Sequence, residues 1–269
     1  MASVTQRIKE IKQPKGGYIS PKLFEKIFLK TDDELATIEN ISQSTIDSVV
    51  HYLTRFCLNK DKFNAFIISI IGAQLAEKYY NIKKAIKNAS KLLENINGLD
   101  DQSIINACKL VRYDGWYKNP QKMMQHCKNE THPKIPNEQT ISNIKILIDR
   151  SLNFFEEYGP ILLDDFTYQA LDGANGEYKN TVNKGDWYFI TKDTLWDFKV
   201  SKKDLNSKQT LQLAMYLIMA KHSKKLFFDK IFKIGIFNPR LNVIYLFDMN
   251  NLSQKIIKKI ETKVIRYKE

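Results

Sequence analysis

Two aspartates and a lysine stand out in the stretch KGDWYFITKDTLWDFKVSKK, which runs from Lys184 to Lys203. At the two-residue period of a strand, Leu195, Asp197 and Lys199 share one face of TLWDFKV, while Trp196, Phe198 and Val200 share the other. Where Asp186 falls depends on register. A four-residue loop, Thr191 to Thr194, pairs Ile190 with Leu195 and sets Asp186 opposite Lys199; a three-residue loop turns Asp186 away, because a slip of one residue flips every side chain. The polar turn TKDT suits the four-residue loop, so two carboxylates and an ammonium are expected to converge. That set suits metal-assisted hydrolysis of a phosphodiester. Mg²⁺ takes one or two carboxylates plus water and phosphate oxygens, and it acidifies the bound water. A lysine beside it can orient that water or offset developing charge. An arbitrary D…DxK is more often a surface hairpin with a cross-strand salt bridge, so the triplet draws its weight from its surroundings.

The helix that follows, KQTLQLAMYLIMA, sets Gln212 and Tyr216 at i and i+4 on one face of an otherwise apolar surface. Lys202, Lys203 and Lys208 flank its start, and Lys255, Lys258 and Lys259 lie on the last helix of the chain; together they could track phosphates.

The elements that must position these side chains fall into two texts. Residues 1–137 read as helical. Ser20-Pro21 has the pairing that starts a helix through LFEKIFL, and Ile46, Val49, Val50, Leu53, Phe56 and Cys57 repeat at three and four residues. Further helical patterns run through FNAFIISIIGAQLAEKYY, IKKAIKNASKLLENI and DDQSIINACKLVRY. From Tyr113 to Asn137, Gly115, Pro120, Pro133 and Pro136 interrupt the pattern and suggest a junction or long surface loop. Residues 138–269 read as α-β-β-β-α-β-β-α, opening with a helix from Thr140 that stops at Gly159-Pro160. The expected class is α+β or α/β: a helical region, then a mixed sheet flanked by helices.

With 43% hydrophobic residues the 269-residue chain can bury a core, and its formal net charge of +12 favours a polyanion, nucleic acid before an anionic membrane. The N-terminus lacks the apolar core of a secretory signal, and the longest apolar run, AFIISIIGAQLA, is too short to span a bilayer. A soluble, cytoplasmic protein with no membrane partner is the expectation. Cys57, Cys108 and Cys127 form no CxxC pair, which excludes a disulfide framework and a thiolate cluster. His126, Cys127 and His132 lack a fourth ligand nearby, His51 lies within a periodic helix, DGANG is a turn, and Trp116 with Tyr117 could stack on bases but more often packs.

Taken together, Gly185-Asp186, Asp197-Phe198-Lys199, Gln212-Leu213 and Tyr216 resemble the GxxD-like, (D/E)xK and QxxxY elements of the PD-(D/E)xK nuclease superfamily, in particular its RecB-like exonuclease branch. IGIFNPRLNVIYLFDM is similar to the Asn-Pro hairpin of that branch, and the resemblance runs from about Thr140 to the C-terminus. It implies a restriction-endonuclease-like core that cleaves DNA, double- or single-stranded. Asp186 and Asp197 would bind Mg²⁺ or Mn²⁺, Lys199 would position water, and Gln212 and Tyr216 would hold substrate or the metal's surroundings. The resemblance also implies an acid from the preceding helix, with Glu157 the candidate and Glu77 the alternative. The setting implied is phage biology, defence or DNA processing, with protein partners open. The glycine directly precedes Asp186 instead of standing three residues before it, and the iron–sulfur cysteines of some members are missing. The alternative is a nuclease-like fold that only binds nucleic acid or protein, such as an inhibitor.

Overall fold

The computed structural model describes residues 4–30, 33–127, 134–164, 188–223 and 226–267. In chain order, helix α1 (Val4–Glu10) and strand β1 (Glu25–Phe28) precede helices α2 (Gln43–Asn59), α3 (Lys62–Ala65), α4 (Ile67–Tyr80), α5 (Ala85–Glu94), α6 (Asp101–Leu110), α7 (Asp114–Lys118), α8 (Pro120–Cys127) and α9 (Glu138–Tyr158). There follow β2 (Leu163–Asp164), β3 (Tyr188–Thr191), β4 (Thr194–Phe198), α10 (Ser207–His222), β5 (Lys233–Asn238), β6 (Val243–Asp248) and α11 (Gln254–Lys259), which runs on as a π-helical turn over Ile260–Ile265. Two compact units result: Thr31–Asn153, and Met1–Lys30 with Phe154–Glu269.

The helical unit follows its apolar periodicity. Ser42 caps α2 by accepting the Thr45 amide, and Ile46, Val49, Val50 and Leu53 are fully enclosed. Gly72 allows α4 to approach the next elements closely, since a Cβ there would collide with the Tyr113 carbonyl oxygen. The expected loop from Tyr113 onward is instead largely helical, as α7 and α8. Asn119 accepts the Lys122 amide at 3.1 Å and Pro120 takes the first position of α8, so the proline that looked like a breaker is a start signal. Trp116 is buried and packs 4.9 Å from the Tyr80 ring, which leaves it no face for a nucleobase.

The sheet unit is mixed. Its strand order is β1-β6-β5-β4-β3-β2; β4 and β5 are parallel, joined across α10, and every other pair is antiparallel. One face buries Ile190, Leu195, Ile234, Ile236, Val243 and Phe247 in one cluster with α10, α1 and the last helix. The other face receives the end of α9. Phe154 lies flat on Phe237 at 4.3 Å and meets Trp196 edge-on at 5.1 Å. Helix α1 is fixed by buried Arg7, whose guanidinium donates to the carbonyls of Val264 (2.8 Å) and Lys263 (3.1 Å) in the last helical turn.

Two expectations are corrected by long-range pairing. LFEKIFL is not a helix: Ser20 caps only a single 3₁₀ turn, Pro21–Leu23, after which Glu25–Phe28 pairs antiparallel with β6 and Phe24 stacks on Phe247 at 5.3 Å. A division at residues 137/138 also differs from the compact units, which separate within α9 and return residues 1–30 to the sheet. Among the described residues no helix is long and apolar enough to cross a membrane.

Candidate active site

Strands β3 and β4 form the hairpin of the opening stretch. Ile190 pairs with Leu195, the register that the facing of Asp186 required; Asp186 itself lies outside the described residues. Thr191 pairs with Thr194 as well, so the turn narrows to Lys192-Asp193, with Lys192 in the left-handed region at φ 42°. The Asp193 carboxylate secures that turn, accepting from the Thr194 hydroxyl at 2.7 Å and from Lys233 Nζ at 2.8 Å. On the α9 side of the hairpin, the Trp196 indole donates to Thr191 Oγ1 at 2.8 Å.

Asp197 sits in the middle of the sheet, between Tyr188 of β3 and Ile236 of β5, and is 0% exposed. Lys199, next on the same face, holds its Nζ 3.3 Å from Asp197 Oδ1 while its side chain keeps 31% exposure. The lysine thus bridges an enclosed carboxylate and solvent. Burying such a pair rarely adds to stability, because desolvation offsets the Coulomb attraction and apolar replacements are often neutral or stabilising.

Past Lys199 the chain is held at two points. Asn238, at the end of β5, exchanges hydrogen bonds with the Ser201 backbone. Asp204 accepts from the Tyr245 hydroxyl at 2.5 Å and from Lys26 Nζ at 2.8 Å. The hydrogen bond from Lys26, and then that from Tyr245, hold the Asp204 carboxyl below its ordinary range; burial first, and then Asp204, push the Tyr245 phenol up. Between these anchors Lys202 and Lys203 are exposed, and Lys208 is exposed on the first turn of α10, behind the Asn206 capping box. Lys255, Lys258 and Lys259 are likewise exposed on α11.

The remaining candidates lie elsewhere. Gln212 donates to Thr5 Oγ1 of α1 at 3.4 Å, and Tyr216 is fully enclosed in the core, so it offers no surface to a substrate and is left with a supporting role at most. Glu157 is exposed on the last turn of α9, the helix on the Trp196 face; its charge helps raise the pKa of Tyr158, after burial. Glu77 has a structural task in the helical unit, accepting the Ile86 amide at 2.9 Å at the start of α5. His51 is paired with Asp47 at 3.5 Å. His132 and DGANG lie outside the described residues, as do the side chains of His126 and Cys127.

Among the described residues no three His, Cys, Asp or Glu side chains gather as a metal-binding group. Those residues supply one central carboxylate, Asp197, and a second would come from Asp186. Asn238 and Asp204 were not singled out by motif reading; the only sequence signal for Asn238 is the Asn-Pro at its hairpin. No family model, no curated protein and no solved structure matches this chain.

Proposed function

We propose that the protein is a divalent-metal-dependent phosphodiesterase that cleaves DNA, of the PD-(D/E)xK type. The observation that carries this reading is the enclosed Asp197 with Lys199 3.3 Å away on the same strand face. A charged pair of this kind on a central strand is costly to keep and marks a functional-site candidate.

Charge distribution supports the same unit. Residues 1–30 and 154–269 contain 26 Lys and Arg against 16 Asp and Glu, whereas residues 31–153 contain 16 against 14. The excess that attracts a polyanion is therefore a property of the unit carrying Asp197, and a uniformly lysine-rich composition does not account for it.

In this reading Asp197 and Asp186 hold the cation through oxygen ligands. Bound Mg²⁺ or Mn²⁺ supplies charge neutralisation at the phosphate and an acidified water. Lys199 orients the attacking oxygen and offsets charge on the phosphate, and its partial exposure gives it reach to a substrate in solvent. Lys202, Lys203 and Lys208 contact the neighbouring backbone phosphates.

The test is incubation of supercoiled, linear and single-stranded DNA with Mg²⁺ or Mn²⁺, comparing wild type with Asp197→Ala and Lys199→Ala. Cutting by wild type is expected to exceed that of either variant by at least about 100-fold, and equal cutting by all three removes the site. The complete enclosure of Asp197 favours one second reading, a nuclease-like fold that binds without cutting. DNA retained on a gel with no product from any of the three proteins selects it.

A further inference from the structure

Strands β4 and β5 run parallel, and their ladder continues one step past β4, with the Lys199 amide donating to the Phe237 carbonyl at 3.0 Å. The next rung of a parallel ladder takes an N–H from residue 239, which is a proline and has none. Regular pairing must therefore end beside Lys199. Asn238 takes over there with its side chain, which is buried. Its Nδ2 donates to the Ser201 carbonyl at 2.8 Å, and its Oδ1 accepts the Ser201 amide at 3.3 Å. The same oxygen accepts the amides of Arg240 at 3.1 Å and Leu241 at 3.4 Å, which fixes the Asn238 side chain against its own hairpin.

The geometry points to Asn238 as a positioning residue for Lys199, a role that rests on the nuclease reading above. The strand ladder fixes the backbone before Lys199, and the Asn238 amide fixes it after, at Ser201. The direction in which the lysine stem leaves the sheet is thereby set from both sides. An ammonium on a four-carbon stem amplifies small backbone rotations, and a displacement of about 1 Å at a reacting group can cost on the order of 100-fold in rate. Asn238 is suited to this because an amide both donates and accepts, as a backbone rung does. Asp keeps the acceptor and loses the donor; Ala loses both.

The experiment is a cycle: Asn238→Ala and Asn238→Asp, each in the wild-type and in the Lys199→Ala background. Cutting of linear DNA is followed at saturating and limiting substrate, and rates are normalised to the folded fraction from circular dichroism. Asn238→Ala is expected to lower kcat about 10- to 100-fold, as loss of a supporting shell does, with KM within about twofold. In the Lys199→Ala background the same change should cost less than about threefold, because the group it positions is gone. Asn238→Asp should fall between wild type and Asn238→Ala. Equal fold-losses in both backgrounds, a change confined to KM, or no loss at all overturns the positioning role while leaving the nuclease intact. A wild type that cuts nothing removes the nuclease reading, and the positioning role with it.

Discussion

Asp114 of the helical unit and Asp197 of the sheet unit are both buried, and each is ion-paired to a lysine on its own stretch of chain, Lys118 and Lys199. Their structural consequences differ. Asp114 accepts from the Tyr52 hydroxyl at 2.6 Å and the Ser69 hydroxyl at 2.5 Å, so one carboxylate on α7 ties down α2 and α4. The Asp197 pair joins two residues of one strand run, within the β3–β4–β5 ladder. A buried charge that stitches three helices has its explanation in the fold. A pair held along one strand, with an enclosed carboxylate and an ammonium that reaches solvent, is a candidate for chemistry, and it lies in the unit that carries nearly all of the excess positive charge.

The sharpest way to break this contrast is to remove the two charges in turn. Lys199→Ala is expected to lower DNA cutting by about 10²–10³-fold, the usual cost of losing one preorganised group that stabilises developing charge. Asp197→Asn should abolish it to at least the same degree. Asp197→Asn should not destabilise the fold by more than about 1 kcal/mol in urea titrations and can raise the midpoint, because a desolvated charge is removed. Lys199→Ala instead leaves the enclosed carboxylate without its ammonium and is expected to cost up to about 3–5 kcal/mol, so its cutting is compared per folded molecule. Asp114→Ala should do the reverse of Asp197→Asn. It leaves two buried hydroxyls and an ammonium without their acceptor, and a loss of about 3–5 kcal/mol is expected, with cutting per folded molecule unchanged. If Asp114→Ala spares stability and kills cutting, the two aspartates have been assigned the wrong way round.

How much of this was legible in the sequence depended on how local each cause is. The alternation in TLWDFKV and the Ile190–Leu195 register are short-range, and both are found in the structure. The period of Ile46, Val49, Val50 and Leu53 likewise marked the buried side of α2. What escaped was decided far along the chain. Glu25–Phe28 becomes a strand because β6, more than 200 residues later, offers it an edge. Gln212 finds its partner at Thr5, and Arg7 finds the carbonyls of the last helix. The Gln212–Tyr216 spacing gave the right helix, but only the fold shows that Tyr216 is enclosed. Asn238 was visible merely as an asparagine before a proline, since its work depends on where β4 ends beside it.

The two faces of β4 sharpen the comparison inside the sheet unit. A Cβ added at Gly235 would collide with the Trp196 ring, on the face opposite Asp197. Gly235→Ala is therefore expected to cost about 1–3 kcal/mol by overpacking, measured by thermal or urea unfolding. Activity of the folded fraction should stay within about twofold, because the collision faces α9. A tolerated alanine would mean that the aromatic face is looser than its stacking implies.

The smallest effect is one of pH, and it separates the two units by sign. Asp204 in the sheet unit has its pKa lowered by the hydrogen bonds from Lys26 and Tyr245. Its folded form thus binds protons less readily than the unfolded chain, so its contribution is fully present above the ordinary carboxylate value and is lost as pH falls through the lower folded value. Asp149 in the helical unit is raised, by burial first and then by the nearby charge of Asp33. Its ionisation opposes folding, and that penalty appears as pH rises through the unfolded and then the folded value. In urea midpoints from pH 3 to 7, Asp204→Asn should be less stable than wild type at neutral pH, with the gap closing toward pH 3. Asp149→Asn should be at least as stable as wild type at neutral pH, and that advantage should shrink on acidification. The Asp204 gap should stay below about 1 kcal/mol, because its ion pair with Lys26 is largely in solvent. Slopes of the same sign in both variants would show that one of the two environments differs from the one described.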